Sequence, residues 1–174
     1  MAHRNVHYEA AFEDYLRAKG WPYVVVDDAK KAIFADVALK SFDFIVYSES
    51  GRNLLVDVKG RKFPDTSTTG RKRGPTRAWE NWITQEDADG LRDWQRVFGD
   101  DFQPTLVFTY WLQGPPHAAP FDDVHVFRQE HYAFVGVSLE EYLAIARPRS
   151  AKWATLAAPA VPFRTRVRDI GEFL

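Results

Sequence analysis

Two short apolar runs, each containing one aspartate, constrain the fold of this chain more than any other feature. The runs cover residues 41–47 and 54–59, and the polar, glycine-containing segment 48–53 connects them. Their β-branched and aromatic residues predict two strands joined as an antiparallel hairpin. Asp43 lies in the first run and Asp57 in the second. A carboxylate in a strand that favours burial is costly unless it is paired or bound to a metal ion.

Alternation along the second run places Asp57 and Lys59 on the same face of the strand. If the two runs pair as a hairpin, Asp43 lies close to the end of the second run, and the three side chains converge at one end of the sheet. Two carboxylates with the carbonyl of Val58 between them form a set of ligands that Mg²⁺ or Mn²⁺ prefers. A lysine beside such a metal can orient a water and help to deprotonate it. The alternative is a structural ion pair between Asp57 and Lys59.

The composition supports a metal held by oxygen ligands. The chain contains no cysteine, which excludes a disulfide framework, a thiolate zinc site, an iron–sulfur cluster and a cysteine nucleophile. Its five histidines have no metal-ligand spacing. The polar N-terminus and the absence of an apolar run of about 18 residues predict a cytoplasmic protein with no membrane partner.

The length of 174 residues predicts a single domain over 1–174, with a core at about 7–113 and a C-terminal elaboration at about 114–174. The order of the periodic segments favours an α/β fold with a largely central sheet flanked by helices, in which the elaboration adds strands and a helix. The predicted helices cover residues 7–19, 84–98 and 138–146, and the other predicted strands cover residues 23–26, 104–111, 124–127 and 133–137.

The net charge of −1 hides a strong asymmetry along the chain. The stretch 59–77 carries +6, and the other residues carry −7. Its glycines, prolines and small polar residues predict a long mobile loop, which is either a solvated surface loop or a functional one. A local cluster of this kind can bind a phosphate backbone. The candidate nucleic-acid-binding residues are Arg61, Lys62, Arg71, Lys72, Arg73 and Arg77.

The order of these features resembles that in the PD-(D/E)xK nuclease superfamily. Locally, the sequence most resembles archaeal Holliday-junction resolvases. The residues that carry the resemblance are Glu9 on the first helix, Gly20-Trp21 at its end, Asp43, and Asp57-Val58-Lys59. The resemblance covers roughly residues 7–62. Two departures stand out: Phe42 replaces the proline that often precedes the first aspartate, and the extra segment 29–39 lies between the first two strands.

The resemblance implies a restriction-endonuclease-like fold and a nuclease that depends on Mg or Mn. It further implies that Glu9, Asp43 and Asp57 are metal ligands and that Lys59 orients the water. It favours DNA over RNA as the nucleic-acid partner. Glu13 lies one helical turn after Glu9 and could take its role. Gln95 resembles a glutamine that some branches of the superfamily add.

Other interpretations stay open at this level. The chain could be a catalytically inactive module with a nuclease fold that binds nucleic acid or a protein partner. The polar cluster could also be purely structural. Trp79 and Trp82, which follow the basic stretch, are candidates for stacking on unpaired bases. The choice between endonuclease and exonuclease and the formation of a homodimer are undecided.

Overall fold

The computed structural model describes residues 6–26, 40–67 and 78–174. The helices are α1 Val6–Lys19, α2 Gln85–Phe98, α3 Leu139–Ile145 and α4 Ala160–Arg166, with 3₁₀ turns at Pro116–Ala118 and Ile170–Phe173. The first five strands are β1 Tyr23–Val25, β2 Phe44–Val46, β3 Asn53–Phe63, β4 Ile83–Thr84 and β5 Phe102–Leu112. The other five are β6 Val124–Phe127, β7 Glu130–Ser138, β8 Arg147–Ser150, β9 Thr155–Ala157 and β10 Arg168–Asp169.

The main sheet is mixed and has the strand order β1-β2-β3-β5-β7-β10, with β6 paired to β7. β3 and β5 are parallel, and the other pairs in this sheet are antiparallel. A second sheet has the order β4-β9-β8. The α/β class with a central sheet is therefore confirmed. β7 and β10 extend the main sheet, so the predicted elaboration is continuous with the predicted core.

The predicted hairpin is present, with Phe44 of β2 opposite Val56 of β3. β3 is longer than the sequence pattern indicates, because it pairs with β5 as far as Phe63, which lies opposite Leu112. The prediction that the loop begins at Lys59 is therefore wrong, since β3 includes Lys59, Arg61 and Lys62. The other four predicted phosphate-binding residues, Arg71, Lys72, Arg73 and Arg77, lie outside the described residues.

Helices cover both faces of β3. On one face, α1 packs against Leu54, Val56 and Val58, which share a hydrophobic cluster with Phe12 and Leu16. On the other face, Leu55 belongs to a second cluster together with residues of α2, among them Leu91 and Trp94. The side-chain alternation that the sequence predicts for β3 is confirmed, and Asp57 and Lys59 share the face of Leu55.

α2 begins with a capping box, as its sequence indicates. The Thr84 hydroxyl accepts a hydrogen bond from the Asp87 N–H, and the Asp87 carboxylate accepts one from the Thr84 N–H. The spacing of Leu91, Trp94 and Val97 predicts one apolar stripe along α2, but Val97 is 60% exposed. At 100° per residue Val97 points about 120° away from Leu91 and therefore lies at the edge of the buried face.

The C-terminal region mixes confirmed and unpredicted elements. The Ser138 hydroxyl caps α3 by accepting from the Glu141 N–H at 3.2 Å, as the Ser-x-x-Glu pattern predicts. No sequence pattern predicts β8, β9, α4 or β10. In the described ranges, no helix is long and apolar enough to cross a membrane.

Candidate active site

The start of β2 and the middle of β3 place Asp43 beside the Asp57-Val58-Lys59 segment. The Asp43 N–H donates to the Val56 carbonyl at 2.8 Å. The Asp43 carboxylate accepts from the Val58 N–H at 2.7 Å. Because both bonds join Asp43 to the β3 backbone, its carboxylate is held next to the residues on either side of Val58.

Asp57 and Lys59 form a buried ion pair. The distance from Lys59 Nζ to Asp57 Oδ2 is 2.9 Å, and Asp57 is only 6% exposed. Lys59 Nζ also lies 3.0 Å from Asp87 Oδ1. The ammonium group therefore bridges a carboxylate of the sheet and a carboxylate of α2.

Asp87 and Lys40 complete this cluster and were not recognised as site residues from the sequence. Lys40 Nζ lies 2.5 Å from Asp87 Oδ1, so two lysines share one carboxylate oxygen. The other oxygen of Asp87 accepts from the Thr84 N–H at 2.8 Å. The capping pattern identifies Asp87 as a cap, but nothing near it in sequence indicates that it contacts Lys59.

The two buried aspartates have opposite pKa shifts. Burial raises the pKa of Asp57 to about 7; the Lys59 cation opposes this shift only in part, and the Asp43 and Asp87 charges add to it. Burial also raises the pKa of Asp87, but Lys59, Lys40 and the Thr84 N–H outweigh it and lower that pKa to about 2. Asp57 is thus the carboxylate whose charge is least compensated.

Lys59 remains an ammonium group at neutral pH. Burial lowers its pKa, but the charges of Asp57 and Asp87 outweigh burial, and the net shift is upward. A protonated lysine donates hydrogen bonds and cannot accept a proton. Lys59 can therefore orient an oxygen ligand or stabilise negative charge, but it does not act as a base in this state.

The cluster opens into a cleft of about 700 Å³. Its walls include Lys40, Lys59 and Asp87 from the cluster, together with Lys62, Glu80 and Trp82. The volume is that of a ligand site. Three of these six residues are lysines, and their charges can attract an anion.

Glu9 and Glu13 both lie on α1. Glu9 lies half-buried on α1, the helix that packs on the apolar face of β3. Glu13 accepts from Arg17 at 2.8 Å and from the Tyr23 hydroxyl at 2.9 Å. Among the residues that the structure describes, no group of three His, Cys, Asp or Glu side chains is arranged to hold a metal ion.

Gln95 lies outside the cleft, where its Nε2 donates to the Phe102 carbonyl at 3.3 Å and its side chain lines a separate cavity. Trp79 is 8% exposed and packs against Phe63 and Tyr110, which leaves little of its ring available to stack on bases. The core covers its ring, whereas Trp82 is half-buried and lines the cleft.

Arg61 points into the protein, whereas Lys62 is exposed. The Arg61 guanidinium donates to the carbonyls of Gly60 and Trp82, and its central carbon lies 4.2 Å from the centre of the Trp82 ring. Lys62 lies 5.2 Å from the Trp111 ring and lines the cleft. Both residues line the cleft, where Lys62 is exposed and Arg61 is half-buried.

The chemistry of the donor set fits a hard divalent cation at Asp43 and Asp57. Both are carboxylates and lie beside the Val58 backbone, and Lys59 compensates the burial of Asp57 only in part, so further positive charge would favour its ionised form. A divalent cation would supply that charge through oxygen ligands.

Comparison with known proteins supports the fold. No family model matches the chain, and no curated protein sequence matches it. The structure of Hjc, a Holliday junction resolvase from the archaeal hyperthermophile Archaeoglobus fulgidus, is similar to this one with a TM-score of 0.53 and 12% sequence identity. The similarity covers 96% of this chain and 97% of that chain. The chain therefore has a restriction-endonuclease-like fold.

Proposed function

We propose that this protein is a metal-dependent nuclease that hydrolyses phosphodiester bonds in DNA. One observation carries the proposal: Asp43, Asp57 and Lys59 lie together at the hairpin end, beside a cleft lined by three lysines. The fold similarity to a protein described as a Holliday junction resolvase supports it.

Asp43 and Asp57 would hold a Mg²⁺ or Mn²⁺ ion, which when bound lowers the pKa of a water molecule and neutralises charge on a phosphate oxygen. With this ion the pKa of Asp57 falls, because the positive charge compensates its burial. Glu9 on α1 is the proposed third ligand.

Lys59 and Lys40 act on the substrate side of the site. The Lys59 ammonium group, anchored by Asp57 and Asp87, donates a hydrogen bond that orients the attacking water or stabilises the negative charge that develops on the phosphate. Lys40 and Lys62 line the same cleft and attract the phosphate backbone. The proton of the water passes to solvent or to a phosphate oxygen, because Lys59 is already protonated.

A cleavage assay tests the proposal. The protein is incubated with labelled plasmid, linear, single-stranded and branched DNA in the presence of Mg²⁺ or Mn²⁺, beside an Asp57→Ala control. We expect cleavage of at least one substrate that requires the divalent ion. If no substrate is cleaved above the Asp57→Ala control, the proposal is wrong.

The second candidate function is that of a binding module without catalysis. The observation that favours it is the ion-pair network itself, in which Lys59 and Lys40 are both paired with Asp87. Calorimetric titration with Mn²⁺ separates the two functions. Heat that disappears in Asp57→Ala favours the nuclease, whereas DNA binding without uptake of Mn²⁺ favours the module.

A further inference from the structure

A second cavity of about 790 Å³ adjoins the cleft. The two share Lys62, Glu80 and Trp82 in their walls. The second cavity continues from these residues to Gln113 and Arg149. A bound strand could therefore pass from one cavity into the other without leaving the protein surface.

The wall that separates the two cavities is held by buried side chains rather than by sheet pairing. The Tyr110 hydroxyl donates to the Glu80 carbonyl at 3.0 Å, and the Tyr142 hydroxyl donates to the Asn81 carbonyl at 2.8 Å. Arg61 donates to the Trp82 carbonyl. Three consecutive carbonyls are thus bound by three side chains from elsewhere in the core, and the segment is preorganised.

Asn81 fixes the same wall from within. It is 4% exposed, its Nδ2 donates to the carbonyls of Trp79 and Ala158 at 3.2 Å and 3.0 Å, and its Oδ1 accepts from the Ala158 N–H at 2.8 Å. Asn81 thereby joins the wall to Ala158, the residue that follows β9. A buried amide with this many partners specifies one backbone position.

Trp82 is the aromatic surface of this wall. Its Nε1 donates to Glu80 at 3.0 Å, which fixes the direction of the ring. The guanidinium of Arg61 lies 4.2 Å from the ring centre and that of Arg149 lies 5.5 Å from it. An indole that lies beside cations and lines a cavity is a stacking surface of the kind that binds nucleobases.

The charges of the second cavity suit a nucleotide better than a duplex backbone. Arg149 and Lys62 are exposed cations, whereas Glu80 and Asp65 are exposed anions and Gln113 is an exposed amide. Carboxylates repel phosphates, so they are unfavourable on a surface that binds only phosphates. Carboxylates and amides do bind the hydrogen-bonding edges of bases, and those edges are accessible when the base is unpaired.

We propose that the second cavity binds one unpaired nucleotide next to the cleft, with its base stacked on Trp82 and its phosphates beside Arg149 and Lys62. The volume is within the range of pockets that enclose small ligands. The inference rests on the proposed function, because it takes the cleft to be the place where the backbone is bound. A cavity of this kind selects DNA that has unpaired nucleotides over continuous duplex DNA.

The test measures binding in EDTA, so that cleavage plays no part. Fluorescence anisotropy compares a duplex with one unpaired nucleotide, the same duplex with an abasic residue at that position, and the continuous duplex. Wild-type protein is expected to bind the unpaired base about 5- to 100-fold more tightly than the abasic residue, which is the range of one base–aromatic stack.

Trp82→Leu is expected to abolish this preference, because leucine keeps an apolar side chain against Arg61 but offers no ring on which the base can stack. Trp153→Leu is the matched control, because Trp153 is 69% exposed and lies outside both cavities. Arg149→Ala is a second variant that does not threaten the fold, because Arg149 is exposed, and Arg96→Ala is its control.

The outcomes separate this inference from the proposed function. A preference for the unpaired base that Trp82→Leu removes, in a protein that cleaves nothing, supports the cavity and contradicts the nuclease. Cleavage with equal affinity for the unpaired base and the abasic residue supports the nuclease and overturns the cavity. The inference is also overturned if Trp82→Leu and Arg149→Ala weaken all three ligands by the same factor.

Discussion

The two faces of β3 are both buried, yet they differ completely in chemistry. The face under α1 carries Leu54, Val56 and Val58, none more than 9% exposed, and then Gly60. A Cβ added to Gly60 would lie 2.2 Å from the Tyr8 ring, so only glycine permits this close contact. The face toward α2 carries Leu55, Asp57, Lys59, Arg61 and Phe63.

The difference separates stability from chemistry within one strand. Removal of apolar side chains from water stabilises the α1 face directly. On the α2 face, desolvation of the charges opposes their attraction, and the raised pKa of Asp57 shows that the compensation is incomplete. Such an arrangement adds little stability, as expected if the charges serve the proposed reaction.

The largest expected effect contrasts one residue from each face. Asp57→Asn should reduce metal-dependent cleavage at least about 100-fold, because several kcal/mol of transition-state stabilisation depend on the bound cation. Leu54→Ala, on the opposite face, should lower the free energy of unfolding by about 2–5 kcal/mol, because it leaves a cavity in the core. Cleavage assays and urea denaturation of both variants measure the contrast.

Each of the two variants should also leave the property of the opposite face intact. Asp57→Asn should leave the stability at pH 8 unchanged or higher, and the folded fraction of Leu54→Ala should keep its specific activity. If Asp57→Asn destabilises the protein as much as Leu54→Ala does, the charged face is structural and the division between the two faces is wrong.

A smaller effect distinguishes the two roles of Asp87. Asp87→Asn keeps an oxygen for the Thr84 N–H but weakens the hold on Lys59, so we expect kcat to fall about 10- to 100-fold with little change in KM. Thr84→Ala is the matched control, because it removes the other half of the same capping box and leaves the contact with Lys59.

Thr84→Ala should lower stability by about 0.5–2 kcal/mol without reducing kcat. Equal losses of kcat in the two variants would show that Asp87 acts only as a helix cap. A measurement independent of catalysis is the rate at which an amine-reactive reagent modifies Lys59, detected by mass spectrometry, which should rise in Asp87→Asn alone.

Asp57 and Asp87 should show opposite pH dependences of stability. The pKa of Asp57 is about 7 in the folded protein against an ordinary value of 3.8, so the folded state holds this proton more tightly. Asp57 therefore stabilises the fold relative to Asn less and less as pH rises from about 4 to about 7. The pKa of Asp87 is about 2, so its stabilising contribution is present above about pH 4 and is lost as pH falls toward 2.

Urea denaturation of the wild type, Asp57→Asn and Asp87→Asn across pH measures both dependences. As pH rises, the free energy of unfolding of the wild type should decrease relative to that of Asp57→Asn. Relative to that of Asp87→Asn it should increase. If the two differences change in the same direction, Lys59 does not divide its charge between the two carboxylates as the distances indicate.

Local sequence patterns predicted much of the fold around the site. The hairpin of β2 and β3, the shared face of Asp57 and Lys59, and the cap of α2 each depend on residues that are close in the chain. Alternation in a strand and hydrogen bonding in a helix cap are local rules, and the structure follows them. The same rules predicted that Val97 is buried, although it is exposed, and ended β3 too early.

The residues that complete the site come from distant parts of the chain. β3 continues past Lys59 because β5 pairs with it, which no pattern within residues 59–63 indicates. Lys40 and Asp87 meet only because the start of β2 and the start of α2 lie against the same face of β3. The roles of Glu9, Asp43, Asp57 and Lys59 in catalysis stay predictions, as do those of Arg61 and Lys62 in binding DNA.

The amino-acid sequence alone determined the type of chemistry: carboxylates and a lysine on adjoining strands, with no thiol ligand available. The tertiary structure decided how those groups are charged and what surrounds them. A pKa depends on burial and on every charge within a few ångströms, whichever part of the chain supplies it. Asp57 and Asp87 are the same residue type, and only packing places one at a pKa of about 7 and the other at about 2.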